Sequence, residues 1–290
     1  MCPPTALGKL QSGSFIKIRE IAESLTDAER RVARYILRHP HEIPQISITE
    51  LSERARVSEA TVVRLCKRVG LRGYQDLRIR LALDLSNQTF RIHEEIDPSD
   101  HLDAISQKLL HRATQTLQDT IQVLDREALQ RAVDRICEAR RIDLYGVGAS
   151  GVVALDAEQK FLRIGLQARA FIDPHLQATS AALLTPQDVA IGISHSGSTK
   201  DTVNALAIAQ RNRAYTIAIT QYAPSPITKF ADTVLHTVAH EPLLREAAIE
   251  SRLAALFVID MVFVAVVMRL APQTVRRLAQ TRNAVLDRKF

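Results

Sequence analysis

Residues 143–151 read DLYGVGASG and contain the spacing Gly146-x-Gly148-x-x-Gly151. A glycine-rich turn of this kind joins a strand to a helix and brings backbone amides close to a bound phosphate. The same spacing is the fingerprint of a dinucleotide-binding loop, and Asp173, 22 positions beyond Gly151, is a candidate for holding a ribose. The stretch therefore predicts a phosphate-binding α/β domain and leaves open which phosphate it binds.

Short apolar runs alternate with helical patterns around this loop. The predicted strands cover residues 142–145, 168–172, 189–194, 215–220 and 233–238. Such alternation predicts a parallel sheet with helices on both faces, in which ligands bind beyond the carboxyl ends of the strands. The glycine-rich loop follows the first of these strands.

A second loop, SHSGST at residues 194–199, follows the third predicted strand and precedes a helix predicted to begin near Lys200. Around Gly197 it gathers four hydroxyl groups, those of Ser194, Ser196, Ser198 and Thr199. Hydroxyls and free amides at the positive end of a helix suit a phosphate dianion, and Ser150 of the first loop adds a hydroxyl suited to sugar oxygens. The alternative is that the serines only cap a helix, which requires one hydroxyl.

Basic residues are concentrated in the N-terminal third of the chain. Residues 1–90 hold 15 Lys and Arg against 10 Asp and Glu, whereas residues 91–290 hold 23 against 22. Eight of the basic residues lie between Arg54 and Arg80, with only Glu59 and Asp76 to balance them. A cationic patch beside a nearly neutral remainder indicates a polyanion-binding module attached to a second domain.

Three short helices are predicted in this module. Capping boxes at residues 26–29 and 47–50 mark the starts of two helices, and a third begins at Ser58 and ends at Gly70. The second and third helices are joined by only a few residues. This arrangement predicts a helix-turn-helix.

In a helix-turn-helix the third of these helices lies in the major groove, with its first residues, Ser58 and Glu59, toward the bases. Thr61 and Arg64 are candidates for base contacts, because an Arg guanidinium can form two hydrogen bonds with guanine and a Thr methyl group can contact the methyl group of thymine. Phosphate contacts are assigned to the basic residues farther along: Lys67, Arg68 and Arg72. The alternative is a small helical bundle with a solvated basic face.

The N-terminal sequence also resembles a known family. Residues 47–82, SITELSERARVSEATVVRLCKRVGLRGYQDLRIRLA, resemble the DNA-binding domain of RpiR-type bacterial transcription factors, and the likeness extends over about residues 18–85. The most specific part is VSEATVVRLCKRVGLRGYQDL. The resemblance implies an all-α helix-turn-helix domain that binds DNA.

Residues 128–280 resemble the sugar-isomerase (SIS) domain, whose S-x-S-G-x-T motif is matched at residues 194–199 and whose other binding loop is matched by GVGAS at 146–150. The resemblance implies an α/β/α sandwich of five parallel strands that binds a phosphosugar and no nucleotide cofactor. The binding residues that it implies are Gly148, Ser150, Ser194, His195, Ser196, Gly197, Ser198 and Thr199.

The expected domain organisation has four parts. An N-terminal tail covers residues 1–17, the helix-turn-helix domain 18–90, a linker with a connecting helix 91–127, and the SIS domain 128–290. The linker begins with a polar, proline-containing stretch, and helices are predicted from Leu102 to about Leu124 and over about residues 126–139.

One stretch raises the question of a membrane. LAALFVIDMVFVAVVMRLA, residues 253–271, is as long as a bilayer span, but Asp260 in its middle would be costly in hydrocarbon. We interpret it as a helix buried in a soluble domain or in a subunit interface.

Two functional classes fit this layout. An aldose–ketose isomerase needs a general base, for which His195, Glu246 and Glu250 are candidates. A sensor needs binding without chemistry, and fusion to a DNA-binding module favours it. The histidines, including His236-x3-His240, give no convincing metal site. We therefore expect a non-enzymatic transcriptional regulator of carbohydrate metabolism whose DNA affinity is controlled by a phosphosugar.

The expected partners follow from that function. A two-fold symmetric homodimer or homotetramer would bind a near-palindromic double-stranded operator and a phosphosugar effector, with no membrane involved. Three cysteines without metal-like spacing, Cys2, Cys66 and Cys137, indicate a reducing compartment and hence the cytoplasm.

Overall fold

Two units make up the part of the chain that the computed structural model describes, residues 13–87, 96–97, 99–239 and 248–286. The first unit is formed from residues 1–95 and the short segment 222–224. The second unit is formed from residues 96–221 and 225–290. The candidate base Glu246 and the candidate ligand His240 lie outside the described residues, as does most of the predicted polar linker.

In the first unit, the described residues form a bundle of five α-helices. They are α1 (Ser14–Ile21), α2 (Asp27–Arg38), α3 (Ile48–Ala55), α4 (Glu59–Arg68) and α5 (Tyr74–Asn87). Helix α1 begins inside the segment that the sequence assigned to a tail, and it buries Ile16 and Ile18. An eight-residue helix has little stability of its own, so it forms through this packing, which its sequence does not reveal.

Both predicted capping boxes are present. The Thr26 hydroxyl accepts a hydrogen bond from the Glu29 amide, and the Glu29 carboxylate accepts one from the Thr26 amide at 3.2 Å. Ser47 and Glu50 make the same reciprocal pair at the start of α3. Each box satisfies two amides that a helix start leaves without partners, which fixes where α2 and α3 begin.

The second unit is built on five parallel strands, preceded by helices α6 (Leu102–Val123) and α7 (Arg126–Glu138). The strands are β1 (Arg141–Tyr145), β2 (Ala168–Phe171), β3 (Asp188–Ile193), β4 (Tyr215–Gln221) and β5 (Thr233–Thr237), in the order β2-β1-β3-β4-β5. The remaining helices are α8 (Ala149–Arg163), α9 (Pro174–Ala181), α10 (Lys200–Arg211), α11 (Ile249–Arg269) and α12 (Gln273–Asn283). The predicted fold, an all-α helix-turn-helix part and a five-stranded parallel α/β/α sandwich, is confirmed.

The two faces of the sheet carry side chains of different size. Alternate residues of β1, β3 and β4 point to opposite faces. Toward α7, α8 and α11 the strands present branched side chains, Ile142, Leu144, Val189, Ile191, Ile193, Ile217 and Ile219. Toward α9 and α10 they present mostly small ones, including Ala190 and Ala218. Helix α10 therefore lies close to the sheet: a Cβ added at Gly192 would be 3.4 Å from Leu206 of this helix.

The apolar stretch predicted as a buried helix is α11, which by length and composition alone could cross a membrane. One side of it, including Val258 and Val262, is buried in the core under the sheet. Its outer side leaves Val264 and Met268 57% and 70% exposed. Asp260 lies on that side, where its carboxylate is 2.5 Å from Lys160 Nζ of α8. Thus α11 is a core helix on one side only.

Candidate functional site

The strand order places a crevice between β1 and β3. After β1 the chain enters α8 on the branched-residue face, and after β3 it enters α10 on the small-residue face. Because the two connections leave the sheet in opposite directions, the ends of these neighbouring strands form a topological switch point, where ligands of open α/β sheets bind. Both loops singled out in the sequence lie at this edge.

At each glycine position of the first loop, steric contacts or the backbone conformation favour glycine over any other residue. A Cβ at Gly146 would lie 2.5 Å from the Ser150 carbonyl oxygen, and one at Gly151 would lie 3.0 Å from the Ile172 side chain. Gly148 has φ 59°, a conformation that L side chains rarely adopt. The spacing thus produces a tight turn and a close approach of α8 to the end of β2. These requirements are independent of whether the ligand is a dinucleotide.

Neither helix at the crevice is capped by a side chain. Helix α8 has Gly148 at its N-cap, and α10 has Thr199 there without a side-chain capping bond. The interpretation that the serines of the second loop merely cap α10 is therefore wrong. Two helix N-termini, each with partial positive charge, face the same edge of the sheet and are suited to an anion.

The second loop is held in shape by its own hydrogen bonds. Buried Ser194 places its Oγ 3.0 Å from Thr199 Oγ1, and the His195 carbonyl accepts bonds from the Gln221 amide and the Thr220 hydroxyl at 3.0 and 3.1 Å. At the tip, exposed Ser198 bonds Ser196 through both its amide and its hydroxyl. The loop is a rigid turn whose outer hydroxyls, at Ser196 and Ser198, face solvent.

A cavity of about 100 Å³ lies beside the two loops. Two predicted site residues, Ser150 and His195, line it, together with three polar residues that the sequence did not indicate: Thr237, Ser251 and Arg252. The other predicted binding residues, Gly148, Ser194 and 196–199, shape the loops and do not line this cavity. The missed residues come from β5 and from the first turn of α11, which only the fold brings to the site.

The residues considered for other functions have structural partners. Asp173, the candidate ribose acid, caps α9 by accepting a bond from the Leu176 amide at 3.0 Å. Buried Glu250, a candidate general base, is 2.5 Å from Arg112 Nε of α6 and accepts a bond from Thr116. Across the described ranges there is no group of three side chains that could hold a metal ion.

In the first unit, α3 and α4 are joined by a three-residue turn, Arg56–Ser58. Helix α4 ends at Arg68, two residues before the predicted Gly70, which has φ 79°, and the Leu71 amide donates to the Cys66 carbonyl at 2.9 Å. The exposed face of α4 carries Glu59, whose carboxylate accepts a 2.6 Å bond from Thr49 of α3. This is the geometry of a helix-turn-helix with α4 as the recognition helix.

Two side chains on α4 differ from expectation. Thr61 was expected on the exposed face, but it is only 3% exposed, so its methyl cannot meet a thymine. Arg68 was expected to bind phosphate, but its Nη1 is 2.9 Å from the buried Glu29 carboxylate of α2. Burial raises the pKa of Glu29, yet the bonds from Thr26 and the charge of Arg68 outweigh it, and the pKa lies below its ordinary value.

Of the four cations predicted to bind DNA, Arg64, Lys67 and Arg72 are exposed and make no close ion pair among the described residues, whereas Arg68 is exposed but paired with Glu29. Arg72 has a side chain 92% exposed and only a 4.0 Å approach to Asp76, and Lys67 has no acidic partner among the residues described. These three are therefore the residues of the recognition helix and its end that are available to a nucleic acid.

Models of two families match the chain. The helix-turn-helix domain of the rpiR family matches residues 13–88, and the SIS domain matches residues 135–265. An uncharacterized HTH-type transcriptional regulator of Caldanaerobacter subterraneus subsp. tengcongensis is 41% identical over 94% of this chain and 97% of its own. The chain belongs to the RpiR family of transcriptional regulators.

Further relatives agree with this family assignment. The HTH-type transcriptional regulator YbbH of Bacillus subtilis is 39% identical to this RpiR-family regulator, over 95% of this chain and 98% of its own. Among solved structures, the Vibrio vulnificus NanR protein complexed with ManNAc-6P is similar with a TM-score of 0.62 and 31% identity, over 96% of this chain and 100% of NanR. The likeness therefore covers both units.

Proposed function

We propose that this RpiR-family regulator binds operator DNA through α4 and that a phosphosugar, bound at the β1–β3 edge of the SIS domain, changes its affinity for that operator. The observation that carries the proposal is that two uncapped helix N-termini face one edge of the sheet, beside a cavity that a cation, Arg252, lines. Such a site favours a compact anion.

The polar groups of the site fall into two sets, one suited to the phosphate of the ligand and one suited to its sugar. The amides at the starts of α8 and α10, with the loop hydroxyls and Arg252, would hold the phosphate. Ser150, His195, Thr237 and Ser251 line the cavity and would bond sugar hydroxyls. That NanR, 31% identical, was solved with ManNAc-6P supports a phosphosugar as the ligand class.

We infer sensing without catalysis. Within the described part of the chain, the cavity is lined by one imidazole, that of His195, and by no carboxylate. Glu250 is buried against Arg112, and a carboxylate in a buried ion pair is poorly placed to take a proton from a ligand in the cavity. The close relatives are transcriptional regulators, which supports the same conclusion.

On the DNA side, we propose that Arg64 contacts a base, with Ser58 and Glu59 beside it at the N-terminus of α4, and that Lys67 and Arg72 bind phosphates. The operator would be near-palindromic and read by a homodimer or homotetramer in the cytoplasm. The proposed division is a DNA-binding domain that begins with α1 at Ser14 and extends to about 90, a connector from 91 that includes α6, and an effector domain from about 128 to 290.

A thermal-shift screen with full-length protein tests the ligand. We expect a panel of hexose and hexosamine phosphates to contain one that raises Tm, and NAD(H) to have no effect. Arg252→Gln should reduce that shift strongly, whereas Arg211→Gln, an exposed arginine at the far end of α10, should not. Stabilisation by NAD(H) alone would contradict the proposal, and steady turnover of the phosphosugar would favour an isomerase.

A further inference from the structure

Three side chains at the start of the recognition helix form a hydrogen-bonded chain. Ser58 Oγ lies 3.0 Å from Thr61 Oγ1, and Arg64 Nη2 donates to the same Thr61 Oγ1 at 2.9 Å. Ser58 is the N-cap of α4, yet its hydroxyl makes no capping bond and bonds Thr61 instead. The chain runs from a buried residue, Thr61, to an exposed guanidinium.

Burial of Thr61 excludes it from direct contact with DNA and leaves a polar group to be satisfied. A hydroxyl has one proton to donate and two lone pairs that accept. Among the described residues, the hydrogen bonds of Thr61 Oγ1 go to Ser58 and Arg64. The hydroxyl is thus directed at the residue that we propose reads a base, and it makes no bond to the core.

This bond fixes a side chain that would otherwise move among many rotamers. The guanidinium has five N–H groups, so one bond to Thr61 leaves four for other partners. Arg64 is held toward the N-terminal end of α4, the end that approaches base edges in this motif. A guanidinium fixed before binding loses less conformational freedom when it bonds guanine, and it fits a wrong base less readily.

We propose that Thr61 is a positioning residue for DNA recognition: its hydroxyl orients the Arg64 guanidinium and thereby sets the preference for guanine at one operator position. The inference rests on the proposed base contact of Arg64. A purely structural role for Thr61 would make a different prediction, because a packing defect weakens binding to all sequences alike.

Base-preference measurements with the full-length protein separate these roles. Duplexes selected by the wild-type protein from a random pool supply the operator, and single base-pair variants of it are titrated by fluorescence anisotropy. Thr61→Val keeps the shape of the side chain and removes the hydroxyl. We expect the preference for guanine at one position to fall about five- to tenfold, with binding to scrambled DNA unchanged.

Two further variants serve as controls on folding. Thr61→Ser restores the hydroxyl and should recover most of the preference. Ser58→Ala alters an exposed residue, so the fold is expected to persist, and it should reduce the preference at the same position by a smaller factor. If Thr61→Val fails to fold, the Ser58→Ala and Thr61→Ser pair carries the test.

Arg64→Ala in the same assay distinguishes failure of this inference from failure of the proposed contact. If Arg64→Ala removes a base preference that Thr61→Val retains, or if Thr61→Val weakens all duplexes equally, Thr61 does not position Arg64. If Arg64→Ala alters no base preference, the contact proposed for Arg64 is itself wrong. Loss at one shared position in both variants supports the inference.

Discussion

Gly197 is the residue at which the effector loop has least room. It has φ 61°, and a Cβ there would lie 2.2 Å from Ser225 Oγ and 2.8 Å from Thr220 Oγ1. Gly197→Ala should therefore displace the loop, cost about 1–3 kcal/mol of stability and abolish the thermal shift by the phosphosugar. Gly73→Ala is the matched control, because nothing lies within 4 Å of the added carbon. Equal unfolding midpoints in urea for the two variants would contradict this prediction.

The carboxylate of Asp188 makes the folding stability of the protein depend on pH. Its buried carboxylate accepts bonds from Arg140 Nε and Nη2 at 3.0 and 2.8 Å and from Thr185. Burial raises its pKa, but these hydrogen bonds outweigh the burial, and the pKa lies below the ordinary value. A lowered folded-state pKa contributes stability above the unfolded pKa, and this contribution is lost as the pH falls through the folded pKa.

Asp188→Asn should consequently destabilise the protein by about 1–3 kcal/mol at pH 7, the range for a hydrogen-bonded buried charge. The difference from wild type should shrink as the pH falls below about 4, the ordinary value for an aspartate. Urea unfolding at pH 7 and at pH 3.5 measures both quantities. A difference that stays constant with pH would show that the charge of Asp188 is not what stabilises the fold.

The ion-pair partners and the burial of individual side chains could not be predicted from the sequence. Helical periodicity placed Arg68 on a basic face, but its partner Glu29 is 39 positions away and appears only when α2 packs on α4. Thr61 was assigned to the wrong side of α4 because the face of so short a helix is set by which neighbours pack on it. Periodicity gives a helix and its approximate face, and tertiary contacts decide which cations are free.

At the scale of elements, the boundaries that carry local signals were predictable. The capping boxes mark the starts of α2 and α3, and Gly70 lies two residues beyond the observed end of α4. Helix α9 was missed although Asp173-Pro174 is a start signal, an N-cap followed by Pro at the first helical position. Asp173 is also a candidate ribose-binding acid by its position after the glycine-rich loop, but its side chain caps α9, which accounts for this residue without a ligand.

The connection between α6 and α11 gives a prediction about effector response. Arg112 of α6 holds Glu250 of α11 at 2.5 Å, and the next two residues, Ser251 and Arg252, line the cavity. Since α6 follows the DNA-binding domain in the chain, we expect this ion pair to transmit ligand binding. Glu250→Gln should change phosphosugar affinity less than about threefold, a free-energy change below 1 kcal/mol, and reduce the ratio of operator affinities without and with sugar.

Operator titrations with and without saturating phosphosugar measure that ratio. Glu138→Gln, which alters an exposed glutamate at the end of α7, is the control and should leave it at the wild-type value. An unchanged ratio in Glu250→Gln would show that the ion pair only stabilises the helix packing.

For the molecule as a whole, charge placement predicts how DNA binding depends on salt. The first 90 residues carry most of the net charge of +6. Lys67→Gln should lower the slope of log affinity against log salt by about 0.9, the value for one lost phosphate contact. Arg68→Gln should leave that slope unchanged and lower Tm instead, because Arg68 is paired with Glu29. Equal slopes for Lys67→Gln and wild type would remove Lys67 from the interface.

The two-part architecture could be predicted from the sequence because each part carries local signals of its own. The N-terminal part has clustered basic residues and capping boxes. The C-terminal part has glycine- and serine-rich loops that follow short apolar strands. The effector cavity could not, since its lining comes from α8, the loop after β3, β5 and α11. Residues such as Thr237 and Arg252 carry no motif, and their role depends on how distant segments pack.

The unequal faces of the sheet have a consequence for how such proteins diversify. Helix α10 rests mostly on small residues, and a Cβ added at Gly192 would lie 3.2 Å from Ile227 and 3.4 Å from Leu206, so larger side chains on this face would press on the helix and on the loop before it. Helix α11 rests on branched side chains that can be exchanged for others of similar volume. We expect regulators tuned to different sugars to vary along α11 beyond Arg252, while keeping Arg252 and the α10 side for the phosphate that all those sugars share.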